Sequence, residues 1–181
     1  MTVNPSRKHL VLLGAGRAHL QVLKSLARQG TGDMNVTLVA PHPYYIESAM
    51  LPGYVAGDYV LEDLRIALDG LVEASGAHFV PAHVISLDPA GRRVQLSSGD
   101  AVPYDVLSVN VEPAVDRDAV EAVMPGARRN ALFTRPLETF VQLWPQLQAL
   151  ARERALQVAV VGDSVPAVEL AIAVAHALAT P

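Results

Sequence analysis

The sequence contains no cysteine among its 181 residues, and it has few charged residues (18%) and few aromatic residues (5%). Without cysteine the chain cannot form a disulfide, a thiolate-bound zinc site, an iron–sulfur cluster or a redox-active dithiol. Globular chains are usually about 25% charged, so this chain, with 51% hydrophobic residues, is unusually apolar. Any redox chemistry must therefore come from a bound cofactor.

The sequence also lacks a cluster of basic residues and an apolar run long enough to cross a membrane. Its 14 Lys and Arg residues against 18 Asp and Glu give a net charge of −4, which offers no electrostatic footprint for nucleic acid. The apolar stretch Val158 to Ala179 is interrupted by Asp163, Pro166 and Glu169, whereas a spanning helix needs about 20 apolar residues. We expect a cytoplasmic protein with no transmembrane segment and no nucleic-acid partner.

The first forty residues have the pattern of a strand, a glycine turn, a helix and a second strand. Leu10 to Leu13 is an aliphatic run, and leucines recur at helical spacing from Leu20 to Leu26. Gly30 ends this helix, and Val36 to Val39 is typical of a strand covered on both faces. The order predicts a βαβ unit and, with it, an α/β Rossmann-like fold built on a mainly parallel sheet.

The middle of the chain predicts a β-meander, because two turn sequences separate three runs rich in β-forming residues. The predicted elements are an ordered loop over Pro41–Asp58, an amphipathic helix over Leu61–Ala74, strands over His78–Leu87, Arg93–Ser97 and Val102–Val109, the last of these more buried, and a mixed polar and proline-containing connection over Asn110–Asn130.

The end of the chain repeats the opening pattern. Phe140–Arg154 predicts a helix that Pro145 kinks or starts, and a strand over Val158–Val161, a turn at Gly162 and a final helix over Pro166–Ala179 follow. We therefore expect a first nucleotide-binding half over 1–130 and the start of a second, incomplete half over 131–181. The unpaired edge of that second half predicts either self-association or a missing C-terminal domain.

The first glycine turn has the sequence GAGRAH, beginning at Gly14. Gly14 permits a tight turn out of the strand, and Gly16 lets the backbone approach a pyrophosphate at the start of the helix. His19 stands in place of the usual third glycine, which predicts a wider helix crossing or a special role. The acidic residue that ordinarily holds an adenosine ribose is absent, since Ala40 and Pro41 occupy its place. A βαβ unit without a dinucleotide is the alternative.

Two other groups of residues are candidates for a catalytic or ligand-binding site. Ser164 between a strand and a helix resembles a nucleophile elbow, but only Glu169 and His176, both in the helix that follows, are available as its partners. The six histidines lack metal-ligand spacing, so we expect them to be surface or partly buried spectators. The exception is His42, which with Tyr44 and Tyr45 lines either a ligand pocket or a packed loop.

Three segments, Gly14–Leu23, Ser48–Gly53 and Tyr104–Val109, carry a family resemblance. They resemble the flavin half of the two-dinucleotide-domain flavoproteins (the pyridine nucleotide-disulfide oxidoreductase superfamily). Within that group the chain is similar to NADH-dehydrogenase-like proteins, including those fused to selenophosphate synthetase. The resemblance implies an FAD-dependent NAD(P)H oxidoreductase, in which hydride passes from nicotinamide to flavin and, without cysteine, electrons leave directly from the flavin. It also implies that the chain is an N-terminal portion or a shortened relative.

The resemblance implies an FAD site but no catalytic side chain. The implied residues are Gly14, Ala15, Gly16, Arg17 and Ala18 around the pyrophosphate, Ala40 and Pro41 beside the ribose, Val84 in the strand after the helix at the adenine edge, Asn110 and Val111 after the strand that returns to the flavin, and Met50–Gly53 near its ring. Glu112 stands where the family has a glycine, which places a carboxylate near the pyrophosphate.

Gly162 aligns with the family's NAD(P)-binding turn, but Ser164 and Ala167 replace the second and third glycines and Asp163 adds a negative charge. These substitutions count against NAD(P)H binding at this turn. The alternative function is therefore a non-catalytic nucleotide-binding or interaction module in which both glycine turns are degenerate.

Overall fold

The computed structural model describes residues 7–179 of the chain. The chain forms two compact units, the first made of Met1–Tyr45 and Ala67–Glu112, the second of Ile46–Ile66 and Pro113–Pro181. The division into nucleotide-binding halves at residue 130 stays a prediction, and its outer ends, 1–6 and 180–181, lie outside the described residues.

The described chain alternates short strands and helices. Its strands are β1 (Lys8–Leu13), β2 (Met34–Ala40), β3 (Tyr44–Ile46), β4 (Arg65–Ala67), β5 (His78–Pro81), β6 (Val84–Asp88), β7 (Arg93–Leu96), β8 (Ala101–Pro103) and β9 (Val106–Val109). Its helices are α1 (Arg17–Gln29), α2 (Leu51–Ala56), α3 (Leu61–Leu64), α4 (Asp69–Ser75), α5 (Arg117–Val123), α6 (Ala127–Asn130), α7 (Leu137–Glu153) and α8 (Val165–Ala179), and Ser48–Met50 forms a 3-10 turn.

The first unit is built on a parallel sheet of order β5-β2-β1-β9, which confirms the predicted α/β fold. Strand β1 lies in the middle, and its side chains alternate between two cores because successive residues of a strand face opposite sides. Leu12 packs with Leu20 and Leu23 of α1, whereas Val11 and Leu13 pack in a second cluster with residues of the meander. The unbroken aliphatic run of β1 is thus explained by burial on both faces.

The antiparallel sheet β6-β7-β8 confirms the predicted meander, but two of its predicted strands were wrong. The segment His78–Leu87 contains β5 of the parallel sheet and β6 of the meander, and Val102–Val109 contains β8 and β9. Each break follows a proline, Pro81 or Pro103, because proline has no N–H to donate to the ladder. Strand β9 is also not the more buried strand that was predicted, since it forms the edge of its sheet.

The predicted helix over Leu61–Ala74 was wrong, because α3, β4 and α4 share that range. Strand β4 pairs with β3, which lies inside the predicted loop Pro41–Asp58, and the Glu47 N–H donates to the Leu64 carbonyl at 2.8 Å. Backbone pairing between these distant segments outweighs the local helical preference.

The connection Asn110–Asn130, for which the sequence predicted no helix or strand, contains α5 and α6. The Asp116 carboxylate caps α5 by accepting hydrogen bonds from the N–H groups of Asp118 (3.0 Å) and Ala119 (2.9 Å). Asp116 is therefore a start signal that the sequence contained and the prediction missed.

In the second unit, α7 runs through Pro145 rather than starting or breaking there. A proline in a helix leaves the carbonyl four residues earlier without its N–H donor, and here that carbonyl belongs to Val141. The Tyr54 hydroxyl donates to the Val141 carbonyl at 3.0 Å and replaces the missing bond. A tyrosine hydroxyl is protonated at neutral pH and can donate, and burial raises the pKa of Tyr54 further.

Replacing Tyr54 with phenylalanine should lower the free energy of unfolding by about 1–3 kcal/mol, because the Val141 carbonyl loses its substitute donor. Urea unfolding followed by circular dichroism measures the change. Tyr59→Phe is the matched control, since Tyr59 is 44% exposed, and it should change little. An equal loss in both variants would contradict the role given to Tyr54.

The strand predicted over Val158–Val161 was wrong, because this segment has no strand assignment. Its apolar residues have the pattern of a buried strand, but no strand of the described second unit pairs with them, and Val158 and Val161 are 45% and 71% exposed. Among residues 7–179, no helix is both long enough and apolar enough to cross a membrane.

Candidate functional site

The candidate site lies at the carboxyl edge of the parallel sheet, where β1, β2 and β9 end. The Gly14 N–H donates to the Val39 carbonyl at 2.8 Å, and the Asn110 N–H donates to the Leu13 carbonyl at 2.9 Å. These bonds bring together three predicted groups of residues: the glycine turn, Ala40–Pro41 and Asn110–Val111. Strand β1 has β2 on one side and β9 on the other, so this is the point of the sheet where ligands bind in open α/β folds.

The two glycines of the turn face the end of β9. Gly14 has a φ of 85°, a conformation that side chains disfavour, and a Cβ there would overlap the Asn110 backbone carbonyl. A Cβ on Gly16 would overlap the side-chain amide of Asn110. The sequence predicts a tight turn at Gly14 and the approach of a pyrophosphate at Gly16. In the structure, the close approach of Asn110 gives a further reason for glycine at both positions.

Helix α1 begins beside this turn, and its start is suited to an anion. Gly16 is its N-cap and gives no side-chain cap, and its first turn contains no acidic residue. The N–H groups and the dipole at the start of a helix favour negative charge. Two of these N–H groups already donate within the chain, that of Gly16 to the Asn110 carbonyl oxygen at 3.3 Å and that of Ala18 to the Asn110 side-chain oxygen at 3.1 Å. Arg17 and Ala18 are both exposed.

His19 was predicted, with the other histidines, to be a surface or partly buried spectator, but its side chain is 1% exposed and hydrogen-bonded at both ring nitrogens. Its Nδ1 lies 2.6 Å from the Gly14 carbonyl oxygen, and its Nε2 lies 2.9 Å from the Ser108 hydroxyl of β9. The third glycine position thus holds a buried side chain that joins the turn, α1 and β9. This is the special role that the sequence left open.

The Tyr104–Asp105 segment of the resemblance holds the other end of β1 in place. The Asp105 carboxylate accepts a hydrogen bond from the His9 N–H at 2.8 Å and forms an ion pair with the Lys8 ammonium group at 3.2 Å. The Asp105 N–H donates to the His9 carbonyl at 2.9 Å. The bond from His9, followed by that from Lys8, lowers the pKa of Asp105. Asp105 therefore fixes β9 against β1.

The residues predicted beside adenosine occupy different surroundings. Ala40 ends β2 and is buried, whereas Pro41 is exposed. The Ala82 N–H donates to the Ala40 carbonyl at 3.2 Å, which brings the chain before Val84 to this edge. Val84 was predicted in the strand after the helix, but that strand is β5. Val84 instead begins β6 of the meander, because Pro81 ends the earlier strand.

A cluster of rings lies at the same edge. The His42 ring stacks on Tyr44 with centroids 5.3 Å apart, and His83 meets His42 edge-on at 6.5 Å. Tyr45, which was predicted to share this surface, is only 9% exposed and belongs to the core. His83 was not singled out in the sequence, because 41 positions separate it from His42 and no local pattern joins them.

Gly162 belongs to the second unit and is exposed before α8. A Cβ on Gly162 would lie 2.6 Å from the Cβ of Ala167, so the helix that follows requires a glycine there. The backbone carbonyl of Ser164 accepts a hydrogen bond from the Ala167 N–H at 3.0 Å at the start of this helix. Glu169 and His176 both lie on α8, about 10 Å apart along its axis at 1.5 Å per residue, so the described residues do not form a nucleophile elbow with its acid and histidine.

Buried histidines in the first unit serve the fold. The Nε2 of His9 lies 2.8 Å from the Thr37 hydroxyl, and burial lowers the pKa of His9. In the described part of the chain, no three His, Cys, Asp or Glu side chains come together as a metal site.

No family model matches the chain, but individual relatives do. It is 33% identical over 139 residues to the type II NADH:quinone oxidoreductase of Staphylococcus epidermidis, a match covering 75% of this chain and 34% of the relative. It is 32% identical over 106 residues to that of Staphylococcus saprophyticus, covering 58% of this chain and 26% of the relative. Its homologues are type II NADH:quinone oxidoreductases. The chain spans about a quarter to a third of the length of these oxidoreductases.

Solved structures share the fold of this chain. The NAD-dependent persulfide reductase from A. fulgidus superposes with a TM-score of 0.72 over 93% of this chain and 32% of its own, at 19% sequence identity. At that identity the likeness shows the fold alone. The predicted resemblance to NADH-dehydrogenase-like flavoproteins is confirmed, whereas the likeness to proteins fused to selenophosphate synthetase stays a prediction.

Proposed function

We propose that the chain is the flavin-binding part of an NADH-dehydrogenase-like oxidoreductase, which binds FAD at the first glycine turn. One observation supports the proposal most strongly. The turn and the start of α1 lie together at the carboxyl end of β1, where the neighbouring strands β2 and β9 lie on opposite sides of it. The homology to NADH:quinone oxidoreductases supports a reduced nicotinamide dinucleotide as the electron donor and a quinone as the acceptor.

The residues of the turn fit the diphosphate of FAD. Ala15 and Gly16 are half-buried and Arg17 is exposed at the start of α1, so the diphosphate can reach backbone donors and a neighbouring positive charge. Asn110 already accepts from two of these donors, the Gly16 N–H through its backbone carbonyl at 3.3 Å and the Ala18 N–H through its side chain at 3.1 Å. Asn110 must release both if the diphosphate is to use them.

Bound FAD would supply the hydride acceptor, which the side chains of the chain cannot provide. The chain's own contribution is to bind and orient the cofactor through the backbone of the Gly14–Gly16 turn. The absence of cysteine means that these residues provide no dithiol relay.

We do not assign the nicotinamide dinucleotide to Gly162. This glycine is accounted for by its approach to Ala167, and the segment before it has no strand from which a dinucleotide-binding turn could begin. The cytoplasmic location and the self-association expected from the sequence stay predictions.

Titration of the purified chain with FAD tests the proposal, and the shift of the flavin absorbance band reports binding. We expect the shift to saturate at one FAD per chain, because the glycine turn offers one diphosphate site. Gly99→Ala, far from this turn in the meander, is the control and should give the same titration. A flavin band that stays identical to that of free FAD would contradict the proposal.

A further inference from the structure

The buried histidine in the glycine turn makes two directional hydrogen bonds. The Gly14 carbonyl oxygen can only accept, so the Nδ1 of His19, 2.6 Å away, must carry the proton and donate. In the neutral ring Nε2 is then an acceptor, and the Ser108 hydroxyl, 2.9 Å away, donates to it. The hydrogen bond from Ser108 on β9 thus fixes the orientation of the His19 ring, and the hydrogen bond from the ring fixes the orientation of the Gly14 carbonyl.

This arrangement sets the direction of the next backbone N–H. Gly14 and Ala15 are joined by a trans peptide, in which the carbonyl and the N–H point in opposite directions. Because the Gly14 carbonyl points toward the buried imidazole, the Ala15 N–H points away from it. The same bond also keeps a carbonyl oxygen, which would repel an anion, turned away from the exposed side of the turn.

We propose that His19 is a positioning residue that aims the Ala15 N–H at the diphosphate of the bound dinucleotide. The inference rests on the proposed function and adds a reason why a histidine replaces the third glycine. A glycine at position 19 would leave the Gly14 carbonyl without this donor, and Gly14 is flexible enough for its peptide to turn over.

The test compares FAD binding by His19→Leu and His9→Leu, measured by quenching of flavin fluorescence. Leucine at position 19 removes both ring hydrogen bonds, and we expect the dissociation constant for FAD to rise about tenfold to a hundredfold, as for one lost charge-assisted hydrogen bond. ADP, which carries the diphosphate without the flavin, should lose affinity by the same factor. His19→Gln, which retains one donor and one acceptor, should recover part of the affinity.

His9→Leu is the matched control, because His9 is also buried in the first unit and bonded to a hydroxyl, but at the other end of β1. It should destabilise the protein in urea without changing the affinity for FAD. An unchanged affinity in His19→Leu, or an equal loss in both variants, would overturn the inference while leaving the proposed function intact. A wild-type chain that binds no FAD would overturn both.

Discussion

Replacing Gly14 with alanine should lower the free energy of unfolding by about 3 kcal/mol and abolish dinucleotide binding. About 1–2 kcal/mol arises from placing a side chain in the left-handed conformation, since Gly14 has a φ of 85°. The overlap of the new Cβ with the Asn110 carbonyl adds about 1–3 kcal/mol. Rotation of a side chain cannot relieve this overlap, because its partner is backbone. Urea unfolding followed by circular dichroism measures the loss.

Gly99→Ala separates the two contributions. Gly99 has a nearly identical φ of 91°, but a Cβ there would enter open space. The Gly99→Ala variant should therefore lose only the conformational part of the free energy of unfolding, about 1–2 kcal/mol, and keep its affinity for FAD. Equal losses in the two variants would mean that the approach of β9 does not determine the need for glycine at position 14.

Replacing Trp144 with alanine should cost about 3–5 kcal/mol, the usual range for truncating a buried aromatic side chain. Trp144 is 2% exposed on α7 and stacks on Phe140, with centroids 6.1 Å apart. The second unit therefore depends on this side chain for its core. Circular dichroism in urea measures the change, because Trp144 is the only tryptophan and the variant has no indole fluorescence.

The neighbouring residue provides the control for Trp144. Leu143 lies on the same helix but is 38% exposed, so Leu143→Ala should cost less than about 1 kcal/mol. A loss at Leu143 as large as that at Trp144 would contradict the claim that burial of the indole stabilises α7, because alanine itself favours the helix.

The parts of the fold that the sequence predicted correctly are those in which local pattern and burial agree. Helix α1 ends at Gly30 as predicted, and β1 and β2 match their aliphatic runs, because both strands are covered on two faces. The final helix also begins within one residue of its predicted start. In each case the hydrophobic spacing matches the environment that the structure provides.

The errors arose where distant segments decide the structure. The apolar run Val158–Val161 has the composition of a strand, but strands require partners, and none of the described strands of its unit pairs with it. The prolines at 81 and 103 were visible in the sequence, yet only the change of sheet showed that each ends a strand.

The candidate site was predictable in its backbone but not in its side chains. The glycine turn and the return of the chain at Asn110 follow from the order of strands and from the resemblance. The link between His19 and Ser108 spans 89 positions, so no spacing within the turn reveals it. The bond from Asn110 to Ala18 is likewise tertiary, with 92 positions between the two residues.

The proposed function depends most on the binding of a diphosphate by the Gly14–Gly16 turn. Calorimetric titration of the purified chain with FAD and, in parallel, with riboflavin tests this directly, because riboflavin has the flavin ring but no diphosphate. We predict that FAD binds with one molecule per chain and that riboflavin does not bind measurably. Equal affinity for the two flavins, or no heat of binding with FAD, would contradict the claim.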